Sequence, residues 1–154
     1  MNEIDISRQE FRRSLRPVED MSWVKMEIEN IQGNGTDWIA ILKDKDDRYV
    51  KMGVTASQIT HMVPGMRGLS GRMLFATPYQ LIDRLAQAFG ARSVCAILDC
   101  NLDKIVAGRV ELKKADGEVF FLRMAGGDAL AYAVLMGIPI YMVEDLVNFL
   151  TERN

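Results

Sequence analysis

The stretch from Phe120 to Tyr141, FFLRMAGGDALAYAVLMGIPIY, constrains this chain more than any other. It opens as a strand, turns at Gly126-Gly127 and continues as a short helix from Asp128 to Met136 with almost no polar face. Ala129, Ala131 and Ala133 sit there beside Leu130, Val134 and Leu135. A helix that is apolar all round has to be covered all round. Its alanines let a sheet or a second subunit come close. Gly137 supplies a left-handed C-terminal cap, and Pro139 stops the helix from continuing. Ile138 and Ile140 then alternate with Pro139 and Tyr141, as in a short strand.

The segments before this stretch read as strands and two helices separated by turns and one glycine-rich connection. Trp23 to Glu29 alternates apolar and polar residues, which predicts a half-buried strand. Gly33-Asn34-Gly35 is a turn, Trp38 to Lys43 a second strand, Asp44 to Asp47 a tight turn and Tyr49 to Val54 a third strand. Thr55, with Gln58 three residues on, opens a helix through a capping box; Ile59, Met62 and Val63 are its apolar stripe, and Pro64-Gly65 ends it. A glycine-rich connection follows, Gly65 to Arg72. Thr77, Pro78 and Gln80 start the next helix, Gly90 follows its end, and Leu81, Ile82, Leu85 and Phe89 form one apolar face. Val94 to Leu98 reads as a buried strand, Asn101 to Lys104 as a hairpin turn, and Ile105 to Lys114 as a long strand. Ala115-Asp116-Gly117 returns the chain into Phe120. Val143, Leu146, Val147 and Leu150 fall on one face of a C-terminal helix.

A shift of 70 residues aligns Leu42-Lys43 with Leu112-Lys113, Asp46 with Asp116, Gln58 with Asp128 and Met66 with Met136. Both halves then read strand, acidic turn, strand, short helix. Two such units predict an α+β domain of mostly antiparallel strands with packed helices and an internal duplication. Residues 1–20, with mixed charge and few apolar side chains, read as an N-terminal extension; 21–154 read as one domain.

Composition narrows the class. With 154 residues, 49% hydrophobic and 26% charged, the chain is long enough for a core and ordinary for a globular protein. A formal charge of −2 gives no general attraction for polyanions, so nucleic-acid binding would need a local basic surface. No apolar run reaches the roughly 18 residues of a membrane span. Arg8, Arg12, Arg13 and Arg16 fall where the apolar core of a signal peptide would lie. Cys95 and Cys100 lack metal-ligand spacing and read as reduced thiols, which points to the cytoplasm.

The unit ending DALAYAVLMGIPIYM resembles the C-terminal signature of the bifunctional nuclease domain family. Asp128-Ala129-Leu130-Ala131-Tyr132-Ala133 and Gly137-Ile138-Pro139-Ile140-Tyr141 carry the resemblance, and the upstream strands and helices fit in order from about Ser22 to Leu150. The resemblance implies a compact α+β domain that often self-associates and, in some members, cuts both DNA and RNA. Three positions depart from the family pattern. Ala125-Gly126-Gly127 stands where the family tends to have Arg-Pro-Ser, Pro78-Tyr79-Gln80 where it often has Thr-His-Asp, and Gln58 where an acidic residue is typical.

Asp128 is the polar position of the family pattern that survives, and it is the candidate catalytic residue, as metal ligand or general base, for phosphodiester cleavage with magnesium or manganese. A carboxylate in a first helical turn also favours the free N–H groups there. Arg67 and Arg72 are candidate phosphate contacts. Gln58 and Gln80 are explained by capping, His61 has no partner in the sequence, and Asp44, Asp46, Asp47, Asp99 and Asp103 mark solvated turns. The apolar Asp128 helix and the amphipathic last helix offer more apolar surface than a small sheet covers, which predicts a homodimer. Two functions follow: a metal-dependent nuclease, or a non-catalytic interaction module that self-associates.

Overall fold

A computed structural model describes residues 22–67, 77–102 and 105–152. The N-terminal extension, the centre of the glycine-rich connection with Arg72, and Asp103 lie outside the described residues. The strands are β1 (Trp23–Gly33), β2 (Trp38–Lys43), β3 (Tyr49–Val54), β4 (Ala91–Leu102), β5 (Ile105–Lys114), β6 (Val119–Ala125) and β7 (Ile140–Val143). The helices are α1 (Ala56–Met66), α2 (Pro78–Ala88), α3 (Gly126–Met136) and α4 (Glu144–Glu152).

All seven strands join one mixed sheet in the order β3-β2-β1-β7-β4-β5-β6. Every neighbouring pair is antiparallel except β4 and β7. The fold is α+β. The 70-residue repeat is present in the backbone: α1 and α3 begin and end at equivalent positions, as β3 and β6 begin. β1 is irregular between Ile28 and Asn30, and β4 between the equivalent Leu98 and Cys100. Each hairpin closes with the same pair of bonds, Asp44 N to Arg48 O at 3.1 Å and Asp47 N to Asp44 O at 3.3 Å in one, Lys114 N to Glu118 O at 2.9 Å and Gly117 N to Lys114 O at 3.0 Å in the other. Asp47 and Gly117, also equivalent, both take positive φ, 58° and 92°. β7 is inserted between the two units.

The apolar helix α3 is enclosed by its own chain. It packs on β4 and β5, reaches both edge strands β3 and β6, and lies against α1 and α2. Leu130, Ala131 and Tyr132 are fully buried. The closest approaches occur at glycines. A Cβ on Gly65 would meet Val134 Cγ1 at 2.8 Å, and one on Gly108 would meet Ala129 Cβ at 3.3 Å. Gly65 lies inside α1, which runs on through Pro64 to Met66 instead of ending there; Pro64 forgoes one late backbone bond and leaves the rest of the last turn in place.

Two expectations about surfaces are corrected. The Asp128 helix and the last helix leave little apolar surface for a second subunit, because α3 is enclosed and α4 buries Leu146 and Val147 in the same core. The apolar face of α2 is instead split. Ile82 packs against the core, whereas Leu81, Leu85 and Phe89 are 51%, 59% and 75% exposed. No described helix is long and apolar enough to cross a membrane.

Candidate functional site

The first turn of α3 forms the polar junction of the helices. Its N-cap, Ala125, has no side chain to cap the helix, whereas the equivalent Thr55 of α1 makes a full capping box with Gln58. Gln58 serves both halves. Its Oε1 accepts from Thr55 N at 2.9 Å, and its Nε2 donates to Asp128 Oδ1 at 3.1 Å. The two residues that the repeat makes equivalent are therefore bonded to each other. Gly127 makes this possible, since a Cβ there would lie 2.0 Å from Gln58 Oε1.

Tyr79 of α2 also donates to Asp128 Oδ1, at 2.8 Å. One turn further along both helices the pairing is reversed: Tyr132 donates to Asp83 Oδ1 at 3.4 Å, with Ser93 Oγ 2.5 Å from the phenol oxygen and 3.0 Å from Asp83 Oδ1. Tyr79 and Asp83 are spaced as Asp128 and Tyr132 are, so α2 and α3 run side by side in the same direction. Burial, and then the Asp128 carboxylate, raise the Tyr79 phenol well above its ordinary range. It is a neutral donor at any physiological pH.

Beside this junction lies a cleft of about 290 Å³ lined by Ser57, His61, Pro78, Tyr79, Ile82, Met124 and Asp128. His61 packs edge-on against Tyr79, with ring centroids 5.4 Å apart. Among the described residues Asp128 Oδ1 takes both bonds given above and Oδ2 takes none. The cleft thus offers one carboxylate oxygen, a phenol, an imidazole and a hydroxyl, with Ile82 and Met124 as its apolar wall. These groups can exchange a proton and hold a polar ligand. They fit a protein-held magnesium or manganese ion poorly, because the cleft supplies a single carboxylate and one of its oxygens is already committed. Among the described residues no group of three or more His, Cys, Asp or Glu side chains is placed to bind a metal.

Asp128 is thus at a cleft, but Arg67 is not. It is the exposed C-cap of α1 and is absent from the cleft lining. Ser57, His61 and Tyr79 carried no site signal when read singly. The signal available was relational: Ser57 and His61 are one turn apart on α1, and the repeat sets Gln58 against Asp128.

Two turn aspartates prove to be buried. Asp44 accepts from Asp46 N at 2.9 Å and Arg48 N at 3.0 Å, and pairs with Arg48 Nε at 2.6 Å. Arg48 continues to Glu144 at 2.7 Å and Asn148 at 3.1 Å, which ties the hairpin to α4. Burial alone would raise the Asp44 carboxyl, but the Arg48 backbone and guanidinium hold it below its ordinary value. Asp99 binds Arg123 through two bonds of 2.8 and 2.7 Å and lies 3.3 Å from Arg109, whose guanidinium stacks over Phe121. Each short carboxylate turned inward onto an arginine: Asp44 onto Arg48 of its own hairpin turn, and Asp99 onto Arg109 of the adjacent β5 and Arg123 of β6 beyond it. Cys95 and Cys100 are buried and unbridged.

The chain matches no protein-family model and no curated protein.

Proposed function

We propose that this chain is a divergent member of the bifunctional nuclease domain family that works as a self-associating interaction module. The observation that carries this reading is the outward stripe of α2. Leu81, Leu85 and Phe89 recur every four residues on one face of a helix whose other face, with Tyr79 and Ile82, already packs on the domain. An isolated exposed leucine needs no explanation, but an ordered stripe ending in a phenylalanine that is three-quarters exposed marks a surface awaiting a partner. Asp128 then has a sufficient role as the joint of α1, α2 and α3. The test is the mass of the protein in solution, by light scattering and sedimentation across a concentration series. The wild type is expected to be a dimer, and Leu85→Glu with Phe89→Glu a folded monomer. A wild type that stays monomeric at every concentration would remove this reading.

A second reading, phosphodiester cleavage, is supported by the cleft itself. In it Asp128 is the acidic residue, His61 carries the proton, and Arg67 and Arg72 contact phosphate. Labelled single- and double-stranded DNA and RNA, with magnesium, manganese or chelator, would decide it. Cleavage lost in folded Asp128→Asn and His61→Ala variants would establish it, and an uncut panel would end it.

A further inference from the structure

Two acid–tyrosine pairs join α2 to α3, and they differ at one oxygen. Asp83 is complete: its Oδ1 accepts from Ser93 and Tyr132, and its Oδ2 accepts from Gln87 Nε2 at 2.8 Å. Asp128 takes both of its bonds, from Gln58 and Tyr79, on Oδ1, and among the described residues Oδ2 takes none. The charge is also left unbalanced. Asp44, Asp99 and Glu144 are each paired with an arginine. Asp128 has two neutral donors instead, and no Lys or Arg among the described residues lines the cleft that it faces.

We propose that this cleft binds a primary ammonium group on an alkyl stem, with Asp128 Oδ2 as its counter-ion. The proposal goes beyond the two readings above and stands whether or not the chain self-associates. Charge selects the class, because a lone carboxylate without basic neighbours attracts a cation and repels a phosphate or a second carboxylate. The free oxygen selects within that class. A guanidinium pairs best through parallel bonds to both oxygens of a carboxylate, and Oδ1 already accepts two bonds. An ammonium is a compact point charge that needs only one of them. It carries three donors, and Ser57 Oγ and an imidazole nitrogen of His61 are further acceptors in the same lining. Ile82 and Met124 form the apolar wall against which the methylenes of the stem lie. At about 290 Å³ the cleft falls at the small end of the roughly 300–1,000 Å³ of ligand pockets, which suits a group the size of one side chain. A free alkylamine and the lysine side chain of a partner protein present this same chemistry.

The test is an NMR titration of the full chain at constant ionic strength. His61 is the single histidine, so its imidazole C–H signals report on the cleft without overlap from another imidazole. n-Butylammonium is expected to shift them saturably in the millimolar range and to bind more tightly than n-butylguanidinium. Asp128→Asn keeps an acceptor for Gln58 and Tyr79 and should weaken the binding about tenfold or more. Ser57→Ala, at an exposed position of α1, should weaken it about threefold or more without disturbing the fold. A blocked Gly-Lys-Gly peptide that binds about tenfold or more tighter than n-butylammonium assigns the group to a protein partner, and equal binding assigns it to a free amine. 1-Butanol that binds as well as the ammonium, or butyrate or inorganic phosphate that binds better, overturns the proposal. So does a wild type without a saturable shift, or binding that is unchanged in both variants.

Discussion

Gly127→Ala tests the joint between the two halves. In an open first turn of a helix, alanine for glycine adds up to about 1 kcal/mol of stability. Here the new Cβ would lie 2.0 Å from Gln58 Oε1 and 2.5 Å from Cδ. Gln58 is flexible, so the obstacle is not a wall but the two bonds it must give up to move. The reach back to Thr55 N belongs to a capping box and contributes about 1 kcal/mol. The bond to the Asp128 carboxylate contributes roughly 1.5–3 kcal/mol, as hydrogen bonds to charged groups do. Subtracting the propensity gain leaves a destabilisation of about 2 kcal/mol, or roughly 4–8 °C in Tm for a domain of this size. Urea unfolding should be measured for the wild type, Gly127→Ala, Gln58→Ala and the double variant. In the Gln58→Ala background the amide is gone, and alanine at 127 should become neutral or stabilising. The sign of the effect should therefore reverse between backgrounds. An equal loss in both, or no loss in the wild type, would refute the argument.

Three further outcomes follow from the buried polar groups. Tyr79→Phe removes one donor to Asp128 and should destabilise by about 1–2 kcal/mol by urea unfolding, with little effect when Asp128 is already alanine. Asp99→Ala leaves the buried Arg109 and the half-buried Arg123 without their carboxylate and should lower stability by about 3–5 kcal/mol in the same assay. The Arg48 network should show in the pH dependence. Glu144, bonded to Arg48, and Asp44 both titrate below their ordinary values of 4.5 and 3.8. A depressed folded value stabilises above the unfolded value and fades as pH falls through the folded one. The stability difference between wild type and Arg48→Met should be full near neutrality, shrink once pH drops below 4.5 and close below the folded values. A difference unchanged down to pH 2 would be inconsistent with this assignment.

How far the site was legible follows from what each signal measures. Capping boxes are local, and Thr55-Gln58 and Thr77-Gln80 form as their spacing requires. Charge within a turn is not local in its consequences. Asp44 and Asp99 looked like solvated turn residues, because nothing near them in sequence reveals that Arg48 is anchored by Glu144 or that Arg123 reaches Asp99 from two strands away in the sheet. Gln58 looked like a cap and is one, but its amide has a second end, and that end finds Asp128 across the repeat. The Leu81-Leu85-Phe89 stripe predicts an amphipathic helix but not which way it faces; Tyr79 and Asp83 decide that by bonding to α3.

The sequence by itself determined the elements, their order, the α+β class and the duplication, because periodicity, turn residues and caps act over a few residues at a time. It also required that the Asp128 helix be covered. Only the tertiary structure decided what covers it. The sheet reaches α3 from both edges, which removes that helix as a dimer surface and leaves α2 and β6 exposed instead. Burial is a property of the assembled chain, since the same leucine stripe serves equally as core or as interface until the neighbouring elements are in place.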